Sequence, residues 1–116
     1  MPVTVLVVDD EPSIRLLCRI NLELEGYQVL EAGTLEEARF AAASPDLSLV
    51  LLDLHLGNES GGTLLEELRG RSPRVPVALV TGSVELESGD GTADATLVKP
   101  FSIDALLRTV RELTSG

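Results

Sequence analysis

The most apolar stretch of the chain is LSLVLLD, residues 47–53, in which six uncharged residues lead directly into an aspartate. Such a run is typical of a strand that is buried on both faces of a parallel sheet. Three further apolar runs also end at a polar residue: Val3–Val8 before Asp9 and Asp10, Val77–Val80 before Thr81, and Ala95–Val98 before Lys99. Because the carboxyl ends of parallel strands meet at one edge of the sheet, we expect these polar side chains to lie together.

Helical patterns separate the apolar runs. The predicted helices are Ser13–Glu25 after Pro12, Thr34–Ala43 with a capping box, Thr63–Arg69 after a flexible loop Gly57–Gly62, and a last helix capped by Ser102. The predicted strands are Val3–Val8, Gln28–Ala32, Leu47–Leu52, Pro76–Val80 and Ala95–Val98. This alternation predicts an α/β fold, a doubly wound five-stranded parallel sheet with helices on both faces.

The segment between Thr81 and Lys99 departs from this pattern. It contains the run GSVELESGDGT, residues 82–92, which has too few apolar residues and too many glycines for a full helix. The fourth helix is therefore predicted to be short or degenerate.

Composition narrows the class of protein. The chain has 116 residues, of which 44% are hydrophobic, and residues 1–116 are expected to form one domain. A net charge of −10 argues against direct nucleic-acid binding and against binding to anionic membranes.

The single cysteine, Cys18, excludes a disulfide within the chain and is expected to lie in the core, as are Phe40 and Phe101. No stretch is predicted to be a signal peptide or a membrane span, so we expect a cytoplasmic protein.

The strand-end motifs, in this order, resemble the receiver domain of two-component response regulators. The matching motifs are VVDDE at 7–11, LLDLHL at 51–56 with Gly61 eight positions after Asp53, VTG at 80–82 and VKPF at 98–101. The resemblance extends over essentially the whole chain. It implies a flavodoxin-like sheet with strand order 2-1-3-4-5.

The resemblance also implies roles for the site residues. Asp53 would accept a phosphoryl group from a histidine kinase or a histidine phosphotransfer protein, and Thr81 and Lys99 would bind phosphoryl oxygens. Asp9, Asp10 and Asp53 would bind Mg²⁺, together with the backbone carbonyl of His55. The residues independently favour a cation, because three neighbouring carboxylates cannot all remain ionised without one and a hard divalent ion prefers oxygen ligands.

Other interpretations remain open. Asp9 and Asp10 are also suitable caps for the first helix, Lys99 is a plausible solvated loop charge, and Thr81 a plausible turn residue. Two alternative functions are a receiver-like binding scaffold that never cycles and an aspartate-nucleophile phosphatase. The second would need an acid two residues after Asp53, where His55 stands. We therefore expect a signalling module rather than a turnover enzyme, without an output domain, and present as a monomer or a weak homodimer.

Two positions depart from the family pattern that the resemblance supplies. Thr96 stands where an aromatic residue is common, three positions before Lys99, and Gly57 replaces a proline four positions after Asp53. The segment between Thr81 and Lys99 is also shorter than usual. These departures predict that the surface formed by the fourth helix and the fifth strand differs from that of the family that the chain resembles.

Overall fold

The apolar runs do form a central parallel sheet. The structure, a computed structural model, describes residues 3–71, 74–82 and 93–115. The strands of this main sheet are β1 (Thr4–Val8), β2 (Gln28–Ala32), β3 (Leu47–Asp53), β6 (Val77–Thr81) and β7 (Ala95–Val98). They lie in the order β2-β1-β3-β6-β7, and every neighbouring pair is parallel. Counted along the chain, this is the predicted order 2-1-3-4-5, and the flavodoxin-like fold is confirmed.

Four helices in the described part of the chain cover the sheet: α1 (Pro12–Leu24), α2 (Leu35–Ala42), α3 (Gly61–Arg69) and α4 (Ile103–Thr114). The starts of α1, α2 and α4 agree with the sequence signals. Pro12 occupies the first turn of α1, and the hydroxyl of Ser102 accepts a hydrogen bond from the N–H of Ala105. Thr34 caps α2 by accepting from the N–H of Glu37, whose carboxylate accepts from Gly33 rather than from Thr34 itself.

Side chains that alternate along each strand build two apolar cores, one on each face of the sheet. On one face Leu6 and Leu52 pack with residues of α2 and α3, and on the other Val5 and Leu51 pack with residues of α1 and α4. The central strands are therefore buried on both faces, as the continuous apolar runs predicted. No helix of the described part is long and apolar enough to cross a bilayer.

The prediction of a flexible loop at Gly57–Gly62 is wrong. Two short strands, β4 (His55–Leu56) and β5 (Glu59–Ser60), pair antiparallel, and α3 begins at Gly61, two residues earlier than expected. The turn between the strands uses Gly57 at φ +62°, a conformation that favours glycine. Ser60 then caps α3 by accepting from the N–H of Gly62. These local hydrogen bonds order a segment that its glycines had suggested was loose.

The core prediction for Phe40 is also wrong, because its side chain is 86% exposed. Helix α2 buries Leu35, Ala38 and Ala42, which share one helical face, and Phe40 lies on the opposite face. Cys18 is buried as expected, and burial raises the pKa of its thiol to about 12. Phe101 is half-buried and packs against the core on the α1 and α4 side. The degenerate helix was predicted within residues 82–92, and all of these except Gly82 lie outside the described residues.

The two leucines at the end of α1 provide a matched test of this packing. Leu22 is fully buried and Leu24 is 77% exposed, so the same substitution removes core contacts at only one of them. We expect Leu22→Ala to lower the free energy of unfolding by about 2–5 kcal/mol, and Leu24→Ala by less than about 0.5 kcal/mol. Urea denaturation of both variants measures the difference. Equal losses would contradict the assignment of the buried face of α1.

Candidate metal centre at the carboxyl edge of the sheet

Three aspartates meet where β1 and β3 end. Asp9 and Asp10 directly follow β1, and Asp53 is the last residue of β3, which pairs in parallel with β1. One carboxylate oxygen from each aspartate lies within 4.8 Å of the other two. Asp9 and Asp53 are buried, at 1% and 5% exposure, while Asp10 is exposed. The register of two neighbouring strands thus places the acidic residues of separate motifs in one cluster.

Lys99 reaches this cluster from the end of β7. Its ammonium Nζ lies 2.9 Å from Asp9 Oδ2 and 3.3 Å from Asp53 Oδ2. The same Nζ is 3.3 Å from a carboxylate oxygen of Glu11, a contact that the sequence reasoning missed although Glu11 directly follows Asp10. Thr81 is buried at the end of β6, and its carbonyl accepts from the N–H of Lys99 at 2.7 Å. The strand ends therefore bring the predicted polar residues to one edge.

Backbone N–H groups orient each of the three carboxylates. Asp9 Oδ1 accepts from Glu11, Asp53 Oδ1 accepts from His55, and Asp10 Oδ2 accepts from Gly57, each at 2.9 Å. One oxygen of each aspartate is therefore committed to the backbone. The side chain of His55 is exposed.

The simpler interpretation of Asp9 and Asp10 as helix caps does not match the contacts of α1. The N-cap of this helix is Glu11, and it makes no side-chain capping hydrogen bond. Asp9 accepts from the N–H of Glu11 itself, and Asp10 accepts from Gly57 in the hairpin after β3. The acidic pair is directed toward the strand ends.

The glycine of the second motif has a steric role. A Cβ at Gly61 would lie 2.2 Å from the carbonyl oxygen of Asp53, a distance that no side chain tolerates. The N–H of Gly61 donates to the carbonyl of Leu54 at 2.8 Å, so the start of α3 is held tightly against the backbone that follows β3. A glycine is needed here because the two backbone segments approach closely.

Burial and like charge oppose ionisation of Asp53. Burial is the main cause that raises the pKa of this carboxyl, and the neighbouring charge of Asp9 adds to it, while the N–H of His55 and the ammonium of Lys99 act in the opposite direction. Burial by itself would lower the pKa of Lys99, but the ion pairs with Asp9 and then Asp53 raise it above its ordinary value. Lys99 is therefore a fixed positive charge at physiological pH.

The donor set suits a divalent cation. Asp9 Oδ2 is buried, and the partner found for it among the described residues is the ion-paired ammonium of Lys99, 2.9 Å away. Since three carboxylates share Lys99, its single charge leaves an excess of negative charge at the edge. The side-chain donors of the cluster are all carboxylate oxygens, which hard divalent ions prefer over nitrogen or sulfur.

Comparison of the sequence with known proteins finds relatives over most of the chain. The model of the family described as "Response regulator receiver domain" matches residues 5–111. The transcriptional regulatory protein KdpE of Mycobacterium tuberculosis is 41% identical over 110 residues, which cover 92% of this chain and 49% of that protein. The chain thus spans about half the length of the curated relatives it matches.

Solved structures agree with the fold. A CheY-like response regulator receiver domain from Methanospirillum hungatei superimposes with a TM-score of 0.90 at 31% identity, covering 99% of this chain and 95% of that one. The response regulator TrrA of Thermotoga maritima, solved in complex with Mg²⁺ and BeF, gives a TM-score of 0.85 at 34% identity, with 96% and 98% covered.

Gly61 and Gly62 provide a matched pair in the first turn of α3. We expect Gly61→Ala to lower the free energy of unfolding by about 2 kcal/mol or more, because the added Cβ meets the Asp53 carbonyl. Gly62→Ala places its Cβ 3.2 Å from the Ser60 hydroxyl, so we expect a change of less than about 1 kcal/mol, offset by the better helix propensity of alanine. Urea denaturation decides; a neutral Gly61→Ala would contradict the close approach.

Asp53 provides a test of the electrostatics. Because folding raises its pKa above 3.8, the metal-free protein should lose stability as the pH rises through the folded-state value, and this loss is absent below 3.8. We therefore expect Asp53→Asn to match the wild type below pH 3.8 and to have the higher free energy of unfolding at pH 7.

Urea denaturation with EDTA across this pH range measures the difference between the two proteins. Asp46→Asn, at an exposed position before β3, is the control and should show no such gain at neutral pH. A variant less stable than the wild type at pH 7 would mean that the ion pair with Lys99 outweighs the cost of burying the charge.

Proposed function

Because the chain belongs to the response regulator receiver domain family, we propose that it accepts a phosphoryl group on Asp53 in a two-component phosphorelay. One observation carries the proposal. The buried carboxylate of Asp53 lies in a three-aspartate cluster and 3.3 Å from the ammonium of Lys99. This places a nucleophilic oxygen beside negative groups that suit a metal and beside a cation that suits a phosphoryl oxygen.

We assign Mg²⁺ as the metal. Asp9, Asp10 and Asp53 would hold it, with the backbone carbonyl of His55 as the further ligand that the family pattern implies. Mg²⁺ binds carboxylates, keeps several waters and takes phosphate oxygens as ligands, which fits a site built from few protein groups. When bound, it supplies positive charge that offsets the charge of the transferring phosphoryl group.

The residues of this chain then have distinct tasks. An oxygen of Asp53 attacks the phosphorus of a phosphohistidine in line, the P–N bond breaks, and its electron pair leaves with the imidazole. The product is an acyl phosphate on Asp53. Lys99 would hold one phosphoryl oxygen by a charge-assisted contact and Thr81 would donate its hydroxyl to another, so that the protein contributes positioning and electrostatics.

The family indicates the phosphoryl donor, since receiver domains of response regulators typically interact with histidine kinases. We propose a histidine kinase or a histidine phosphotransfer protein as the partner. We also propose a cytoplasmic location, where ATP is the source of the donor's phosphoryl group. We further propose that residues 1–116 act as one receiver domain, a signalling module rather than a turnover enzyme, without direct contact to nucleic acid or membrane.

We propose a monomer or a weak homodimer, on the basis of Thr96. Thr96, which replaces the aromatic residue of the family pattern, lies exposed on β7. A phosphoryl group shifts a conformational equilibrium only through contacts that differ between the two states, and a threonine offers fewer of these than a large ring.

The proposal is tested by incubating the protein with acetyl phosphate and Mg²⁺ and measuring its intact mass. We expect the gain of one phosphoryl group, mapped to Asp53 in peptides, and its loss in Asp53→Asn and on addition of EDTA. Asp46→Asn, which changes an exposed carboxylate outside the cluster, should be modified like the wild type. Modification that persists in Asp53→Asn would overturn the assignment, and an unmodified wild type that still binds Mg²⁺ would favour the non-cycling scaffold.

A further inference from the structure

Arg15, in the first turns of α1, folds back onto the end of β1. Its Nη1 donates to the carbonyl oxygen of Asp9 at 2.6 Å, and its Nε donates to a carboxylate oxygen of Glu31 on β2 at 3.2 Å. The side chain is only 20% exposed. The guanidinium is therefore held between a carboxylate that fixes its plane and a backbone carbonyl that it orients.

With this contact the backbone of Asp9 is held on both sides of its Cα. Its N–H donates to the carbonyl of Ala32 at 3.0 Å, and its carbonyl accepts from Arg15. With the backbone held, one side-chain oxygen accepts from Glu11 and the other faces Lys99. The backbone that carries the buried carboxylate is thus held by Arg15, whose described contact with Asp9 is to the carbonyl oxygen and not to the carboxylate.

Gly33 leaves the space that the guanidinium occupies. A Cβ at this position would lie 2.8 Å from Arg15 Nη1, closer than a Cβ atom approaches its neighbours, so the guanidinium would have to move. The backbone of Gly33 is tied to α2, because its N–H donates to a carboxylate oxygen of Glu37 at 2.7 Å. Since Gly33 does not adopt a positive φ, its missing side chain is explained by packing against Arg15 and not by backbone conformation.

We propose that Arg15 is a positioning residue for the cation site, and that Gly33 is the matching position that lets it reach the Asp9 carbonyl. This inference rests on the proposed binding of Mg²⁺ by the aspartates. Residues that orient metal ligands from outside commonly change metal affinity by about 10–100-fold when they are replaced.

Arg19 is a natural control. It lies one turn further along α1 and its Nη1 donates to the second carboxylate oxygen of Glu31 at 2.9 Å, but its described contacts do not include Asp9. Loss of either arginine removes one positive charge near the acidic cluster. Charge alone therefore predicts tighter Mg²⁺ binding for both variants, whereas positioning predicts weaker binding for Arg15 alone.

The experiment measures Mg²⁺ affinity by calorimetry for the full chain. We expect Arg15→Gln to weaken binding about tenfold, Arg15→Lys to lie between this variant and the wild type, and Arg19→Gln to bind as tightly as the wild type or more tightly. Urea denaturation with EDTA confirms that each variant is folded. Unchanged or tighter binding by Arg15→Gln would overturn the proposal.

Gly33→Ala tests the steric half of the inference. In the wild-type background it should weaken Mg²⁺ binding, because the added methyl group displaces the guanidinium. In the Arg15→Gln background it should have little further effect, since the contact is already lost. Additive losses would show that Gly33 acts independently of Arg15 and would overturn the pairing.

A second readout separates this inference from the proposed function. In the metal-free protein, the carbonyl ¹³C shift of Asp9 should move in Arg15→Gln and stay in Arg19→Gln. A wild type that fails to bind Mg²⁺ would overturn the proposed metal site and with it the role of Arg15, while a moved shift would still establish the contact. A wild type that binds, with a moved shift and unchanged affinity, would overturn the positioning role alone.

Discussion

The repulsion between buried carboxylates, with one ammonium set among them, is the constraint on which this structure depends. Two like charges about 4 Å apart repel by about 4 kcal/mol at an effective dielectric constant of about 20. Lys99 lies within 3.3 Å of Asp9, Glu11 and Asp53 and offsets part of this repulsion. Because one charge is shared by three partners, the edge stays short of positive charge. Binding of a cation would therefore stabilise this edge of the sheet.

The main sheet sustains this unfavourable cluster through its two apolar cores. Strands β1 and β3 are buried on both faces, so their carboxyl ends have little freedom to separate. The folded state is stabilised by the apolar area that the strands remove from water, and the electrostatic repulsion is confined to the ends of the strands. This separation lets a small domain keep a charged site that its own electrostatics disfavours.

The hairpin after β3 connects the site to the helices. Gly57 in its turn donates to Asp10, and Glu59 on β5 accepts from the N–H of Leu35 at the start of α2 at 2.9 Å. At Gly61 the start of α3 packs closely against the carbonyl of Asp53. Asp10 therefore contacts a hairpin that also provides a capping contact for α2. The acidic cluster, the hairpin and the starts of α2 and α3 form one connected set of hydrogen bonds.

Much of this arrangement was predictable from the sequence alone, because the responsible signals are local. Continuous apolar runs marked the buried strands, each run ended at the residue that now lies at the sheet edge, and Thr34 and Ser102 capped the helices that they preceded. Parallel topology then required the strand ends to meet.

What the tertiary structure decided lies in contacts between residues distant in sequence. Phe40 is exposed because α2 turns its other face to the core. Gly61 was part of a sequence motif, but the close approach that requires it, like the one at Gly33, is visible only in the folded chain. The reach of Arg15 to Asp9 and of Lys99 to Glu11 depends on side-chain direction in three dimensions, which periodicity along the chain does not contain.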